Sequence, residues 1–250
     1  MSAVLETRNL IKRFGGLTAT DDVSFSLEKG ARHALIGPNG AGKTTFINLL
    51  TGVLRPTSGR VSLMGQDITG LSREARVKRG MVRTFQINQL FGTLTPIEMV
   101  TLVTSERQGH GMRLFRALDA DQAIIAETAE ILARFRLEDV MDHRISLLPY
   151  GKQRQVEIAA AFAAKPSVLL LDEPAAGVPE AERRDLLDTV AALPDDVSVL
   201  LIEHDMDIIF RFATRITVLV NGRVLAQGKP AEIARDPAVK RAYLGEAAHV

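Results

Sequence analysis

Gly37-Pro38-Asn39-Gly40-Ala41-Gly42-Lys43-Thr44 fits the pattern G-x-x-x-x-G-K-[ST] of a phosphate-binding loop. A loop that wraps a polyphosphate turns its backbone N–H groups inward, and glycines let the chain take the positive φ this requires. A helix starting near Gly42 adds unpaired N–H groups and the positive end of its dipole. In that arrangement Lys43 bridges the β- and γ-phosphates, and the Thr44 hydroxyl ligates Mg²⁺. An apolar run, His33 to Ile36, precedes the loop and a helix-like run, Thr45 to Leu50, follows it, as the motif demands.

A second set of groups fits the same chemistry. Asp172 and Glu173 follow the apolar run Val168–Leu171, which places both at the carboxyl end of a buried strand, the edge where open α/β sheets bind ligands. An Asp there holds Mg²⁺, and a neighbouring carboxylate orients or deprotonates the attacking water. His204 follows the Val197–Ile202 run in the same way and is placed for the γ-phosphate. Gln86 closes a third strand-like run, from Met81, and can reach the metal or the water. Phe14 is a ring for adenine stacking or, on equal grounds, a core aromatic.

These groups need elements to hold them. Val4–Leu10, Val23–Leu27 and Arg60–Met64 read as strands. Thr95-Pro96-Ile97-Glu98 is a helix-start signature, with Thr as N-cap, Pro at the first position and Glu three residues after the cap. Residues 105–118 read as a loop or irregular insertion. Ile124, Ile125, Ile131, Leu132 and Phe135 recur at helical spacing, so one apolar stripe is expected there. A helix follows Pro149-Tyr150-Gly151 to Ala164, and Leu186, Leu187, Val190 and Leu193 mark another. Asn221-Gly222 between Ile216–Val220 and Val224–Ala226 predicts a hairpin with a two-residue turn. A charged helical tail is expected from Pro230 to Gly245. Strands alternating with helices argue for an α/β fold with a mainly parallel sheet, interrupted by a helix-rich insertion from about Thr95 to Ala164.

The bulk properties agree. The chain has 250 residues, 46% hydrophobic and 24% charged, with net charge +1. Such a balance describes an ordinary globular protein and gives no reason to expect a nucleic-acid partner. Zero cysteines exclude a disulfide framework and fit a reducing compartment. Glu6 comes too early for the apolar region of a signal peptide. No apolar run approaches the roughly 20 residues needed to span a bilayer, so any membrane span has to come from another chain.

Taken in order, Gly37–Thr44, Thr84-Phe85-Gln86, Leu148-Pro149-Tyr150-Gly151-Lys152-Gln153, Leu169–Glu173 and Glu203-His204-Asp205 resemble the Walker A loop, Q-loop, signature motif, Walker B strand and switch histidine of ABC-type ATPases. Finer features are similar to the ATP-binding subunits of branched-chain or hydrophobic amino-acid importers: Lys12–Gly16, Arg83–Gln86, Tyr150–Arg154, Glu173–Gly177 and Ala242–Gly245. The resemblance implies an ABC-type P-loop NTPase fold with a parallel core, an antiparallel β subdomain and an inserted helical subdomain. The implied boundaries are an ATP-binding core over 1–86 and 166–228, a helical signature subdomain over 87–165 and a C-terminal tail over 229–250.

The resemblance further implies an ATPase that binds ATP and Mg²⁺. Its nucleotide contacts are Phe14, Gly37–Thr45, Tyr150 and Gly151, its catalytic groups Glu173, His204 and Gln86, and its metal-side groups Thr44, Gln86 and Asp172. The implied partners are integral membrane permeases, a second ABC ATPase and, indirectly, a solute-binding protein, with the chain on the inner face of the cell membrane. Residues 87–95 are expected to face the permease. The alternative is a soluble ABC ATPase serving a scaffold such as iron–sulfur cluster assembly. Two motifs depart from the family pattern. Pro149 and Lys152 replace the signature Ser and Gln, and Pro179 replaces the Asp that usually ends the loop after Walker B.

Overall fold

The structure is a computed structural model that describes residues 3–84, 90–109, 122–191 and 193–247. In chain order the elements are β1 (Ala3–Phe14), β2 (Leu17–Glu28), β3 (Arg32–Ile36), α1 (Lys43–Thr51), β4 (Ser58–Leu63), β5 (Gln66–Asp67), α2 (Arg73–Val77) and β6 (Met81–Arg83). Then come α3 (Pro96–Arg107), α4 (Gln122–Arg134), α5 (Tyr150–Ala163), β7 (Val168–Asp172), α6 (Glu180–Ala191) and β8 (Ser198–Ile202). The chain closes with α7 (Met206–Phe212), β9 (Arg215–Val220), β10 (Arg223–Gly228), α8 (Pro230–Ile233) and α9 (Pro237–Ala247). These group into two units. One comprises Met1–Arg83, Ser167–Glu173 and Pro194–Val250, the other Thr84–Pro166 and Pro174–Leu193.

The first unit holds two sheets. A six-stranded sheet runs β10-β9-β3-β8-β7-β6, parallel except where β10 pairs antiparallel with β9 at the edge. The turn joining that pair is Asn221-Gly222, with φ of 50° and 75°, the two positive values a two-residue hairpin needs. A four-stranded antiparallel sheet runs β2-β1-β4-β5. β7 and β8 are buried at every position, which is why they read as unbroken apolar runs. In β3 alternate residues serve opposite faces. Leu35 joins a core with Phe46 and Ile47 of α1 and Leu5, Leu27 and Val61 of the antiparallel sheet. Ala34 and Ile36 join Ile209, Ile233 and Val239 of the C-terminal helices on the other face.

His33 sits in this core. Its Nε2 lies 2.8 Å from the Thr217 hydroxyl, and its ring meets Phe25 edge-on with centroids 4.9 Å apart. Burial, with the positive charge of Arg215 second, lowers its pKa from 6.5 to about 4. The unfolded chain therefore binds this proton first as pH falls. The stability His33 contributes is complete above pH 6.5 and drains as pH approaches 4, by about 3 kcal/mol in all, of which somewhat under half is gone by pH 5.5. Denaturant unfolding at pH 7.5 and 5.5 should therefore show a smaller difference in His33→Gln than in the parent. Equal differences would remove His33 from the acid response.

The second unit packs α3 against α4 and α5, and α5 against α6. α3 opens with the expected capping box: the Thr95 hydroxyl accepts from the Glu98 N–H at 3.3 Å, and the Thr95 N–H donates to the Glu98 carboxylate at 2.8 Å. In α4, Ile124, Ile131 and Leu132 are buried as predicted, but Ile125 is 46% exposed. One hundred degrees per residue carries Ile125 past the stripe that Ile124 heads.

Several lengths depart from the sequence reading. β1 and β2 each run 12 residues, because alternating polar positions extend the pairing to the Gly15-Gly16 turn. α3 continues to Arg107, so the irregular segment begins later than residue 105. The C-terminal tail is two helices, with Ala234, Arg235 and Asp236 between them.

Candidate functional site

Three neighbouring parallel strands end together. Leu35 of β3 pairs with Ile202 of β8, and Ile202 pairs with Asp172 of β7. The segments beginning at Gly37, Glu203 and Glu173 therefore emerge side by side at one edge. With strands about 4.8 Å apart, the loop after β3 and the carboxylates after β7 lie within about 10 Å, the reach of a bound phosphate group.

The loop has little freedom to fold otherwise. Gly37, with φ 154°, passes so close to the Leu219 carbonyl that a Cβ would lie 2.1 Å from that oxygen. Gly42, with φ 94°, would put a Cβ 2.4 Å from the Ala19 carbonyl. The Ala41 carbonyl accepts from the Gly222 N–H at 2.9 Å, so the β9–β10 turn buttresses the loop. α1 then starts at Lys43 with no side chain capping it and no acidic residue in its first turn, so its N–H groups face an anion without a rival carboxylate. The Lys43 ammonium donates to the Pro38 carbonyl at 2.9 Å and to the Gly37 carbonyl, which draws it over the loop. Thr44 is exposed, while Pro38 and Thr45 are half-buried.

Asp172 is 8% exposed and Glu173 half-buried. Glu173 has φ 47°, a left-handed conformation that a Glu rarely adopts, held by its N–H donating to the Ile202 carbonyl at 2.9 Å. Strain of this kind collects where a side chain must be aimed. His204 is exposed, with Nδ1 3.9 Å from Glu173 Oε1 and 3.8 Å from a Glu203 oxygen. Phe14 ends β1 at 46% exposure with the Lys12 ammonium 5.0 Å above its ring, so it is not a core aromatic. Gln86 lies outside the described residues.

Among the described residues no group of three or more His, Cys, Asp or Glu side chains is placed to hold a metal. Mg²⁺ with nucleotide takes one carboxylate, a hydroxyl, phosphate oxygens and water, and Asp172 and Thr44 carry groups of the first two kinds.

Tyr150 and Gly151 belong to the second unit. Pro149 is the N-cap residue of α5, with no side chain to cap it. The Gly151 N–H donates to a Glu182 carboxylate oxygen at 2.9 Å. Tyr150 lies beneath the Arg154 guanidinium, 5.4 Å from the ring centroid, and against Gly177. Lys152 turns away to the Arg136 carbonyl and Asp139 at 2.6 and 3.0 Å.

Two residues that the sequence reading did not place at the site stand there: Asn48, one turn on from Thr44, and Arg83, whose guanidinium meets both Asn48 and Asp172. Arg83 showed only as part of a short motif before Gln86, since a charged residue at a strand end normally reads as solvent-facing.

A glycine-rich loop at a helix N-terminus, beside an Asp-Glu pair on the neighbouring strand end but one, is the arrangement of a P-loop NTPase. The chain belongs to the ABC transporter family, whose profile matches residues 20–176. A second profile, for branched-chain amino acid ATP-binding cassette transporters, matches residues 223–249. The chain is 40% identical, over 98% of each chain, to the high-affinity branched-chain amino acid transport ATP-binding protein LivG of Escherichia coli K12. It is 38% identical, again over 98% of each, to the corresponding protein BraF of Pseudomonas aeruginosa. A crystal structure of an ABC transporter's ATP-binding cassette in its ADP conformation superposes with a TM-score of 0.85 at 30% identity, covering 98% of this chain and 100% of that one.

Proposed function

We propose that the chain is the ATP-hydrolysing subunit of an importer for branched-chain or other hydrophobic amino acids. The observation that carries the ATPase reading is the shared edge of Gly37–Thr45, Asp172, Glu173 and His204. The relatives' names and the C-terminal profile supply the solute class. In this reading the loop N–H groups and Lys43 hold the β- and γ-phosphates, and Thr44 and Asp172 take Mg²⁺. Glu173 orients and deprotonates water, with His204 at the γ-phosphate and Phe14 beside the base. Mg²⁺, when bound, neutralises charge developing on the transferred phosphoryl oxygens. Gln86 completes the set from the segment following β6. A second ATPase supplies a signature segment across the nucleotide, as Tyr150 and Gly151 of this chain do for it. The subunit then sits on the inner face of the membrane against permease chains, fed by a solute-binding protein. Among the described residues no helix is long and apolar enough to cross a membrane, which leaves the span to those chains.

Reconstituted with its permeases, the complex should couple leucine uptake to ATP hydrolysis, and both should vanish together in Lys43→Ala. Vigorous hydrolysis in a chain that copurifies with no membrane protein would favour the scaffold-serving alternative.

An apolar surface supports the permease contact. Phe91 and Leu147 are 60% and 77% exposed and flank a backbone contact in which the Ser146 N–H donates to the Gly92 carbonyl at 3.1 Å. Because the sequence holds no cysteine, a single introduced thiol is unambiguous. Phe91→Cys should crosslink to a permease chain in the assembled transporter, while Met64→Cys, on an exposed residue of the other unit, should not. The reverse pattern would place docking elsewhere.

A further inference from the structure

Arg83 ends β6 with both arms of its guanidinium engaged. Nη2 donates to Asp172 Oδ2 at 2.5 Å, and Nη1 donates to Asn48 Oδ1 at 2.8 Å. The two side chains of the ion pair are only 12% and 11% exposed. Asn48 lies four residues beyond Thr44 on α1, so the two occupy one helix face. Arg83 thus ties the strand end carrying one proposed metal-side group to the helix face carrying the other.

A nearly buried ion pair is weak evidence of stabilisation, because desolvating two charges offsets much of their attraction. Its effect on Asp172 is clearer. The guanidinium occupies one carboxylate oxygen and cancels the negative potential that would attract a divalent cation. Without it, Asp172 and Glu173 would present consecutive carboxylates at the strand end with no cation on Asp172, an arrangement that attracts Mg²⁺ before any nucleotide arrives. Nucleotide phosphates bring several negative charges and outweigh one arginine.

We propose that Arg83 is a positioning residue that makes metal binding at Asp172 conditional on nucleotide, by holding the carboxylate oriented and neutralised until phosphate charge is present. This rests on the reading of Thr44 and Asp172 as the metal-side groups.

The test is Mn²⁺ binding to the full chain, followed by the resonance signal of the free ion, without nucleotide and with a non-hydrolysable ATP analogue. Arg83→Met should bind Mn²⁺ about tenfold more tightly than the parent without nucleotide, the size expected for removing one charge beside the ion. With the analogue present the two should differ by less than about threefold. Arg83→Lys, which keeps the charge, should stay near the parent in both conditions. Arg83→Gln keeps a donor to Asp172 and loses the charge, so it should repeat the Arg83→Met result even if the methionine variant folds poorly. Unchanged nucleotide-free binding in both neutral variants overturns the role of Arg83, as does an equal rise in Arg83→Lys. Asp172→Asn serves as the reference and should lose Mn²⁺ with and without the analogue. If it binds as the parent does, the metal reading of Asp172 fails, and the proposal falls with it.

Discussion

Glu173→Gln should bind ATP within a few-fold of the parent and lose turnover by about 10²–10⁴, the contribution of a positioned general base. The substitution keeps the length and volume of the side chain and removes only its ability to accept a proton. Lys43, the loop glycines and the α1 N-terminus are untouched, so the groups that hold phosphate remain. Backbone strain gives an independent check. Glu173 is held at φ 47°, which costs a non-glycine residue about 1–2 kcal/mol. Asn enters that region more cheaply. Glu173→Asn should therefore also lose turnover, yet unfold at the same or a higher temperature than the parent. Single-turnover hydrolysis with equilibrium nucleotide binding separates the two effects. Turnover within threefold of the parent in Glu173→Gln would take the residue out of the chemistry and leave its conformation without a catalytic reason.

The parts of the site that were legible in the sequence are those whose backbone dictates residue type. Gly37 and Gly42 are required because a Cβ would collide with the Leu219 and Ala19 carbonyls, and that requirement survives as a spacing. Asp172 and His204 were placed at one edge because the strands before them are buried on both faces and so appear as continuous apolar runs. The α3 capping box and the Asn221-Gly222 turn are equally local. What stayed hidden depends on tertiary position. Arg83 finds Asn48 and Asp172 at separations of 35 and 89 residues, and Arg76 finds carbonyls of α1 from 26 and 27 residues away. No window of sequence contains both ends of such a contact. A long cation in a short helix reads as surface until the fold supplies acceptors. The same holds for Gly151, whose N–H meets Glu182, 31 residues distant. Sequence alone makes that helix N-terminus look open to an anion.

Arg76 should carry one of the largest stability effects in the chain. Its side chain is 1% exposed, in the five-residue helix α2. Nη1 donates to the Leu49 carbonyl at 2.8 Å and to the Leu50 carbonyl, Nη2 to the Thr69 carbonyl at 2.9 Å, and Nε to the Leu71 carbonyl at 3.3 Å. Leu49 and Leu50 lie in the last turn of α1, whose terminal carbonyls have no partner within the helix. A cation there also faces the negative end of the helix dipole. Burial lowers the pKa of the guanidinium, and the charge of Asp67 works against that shift. Arg76→Met keeps an apolar stem and strands four acceptors. Two of them, the Leu49 and Leu50 carbonyls, are buried contacts, and at about 1–3 kcal/mol for each acceptor that water cannot reach the loss is about 4 kcal/mol. For a chain of this size that is a fall of roughly 8–16 °C in Tm. Arg76→Lys should recover less than half of the loss, because one ammonium cannot span acceptors that a planar fork reaches from both sides. The other end of α1, a helix of nine residues, carries the phosphate loop. Saturating ATP should raise the Tm of Arg76→Met and of the parent by similar amounts, since that stabilisation depends on the affinity of the folded state and the substitution leaves the loop residues in place. A loss below about 1 kcal/mol would mean that water replaces the guanidinium at those carbonyls, and that the α1 C-terminus is not sealed by this residue.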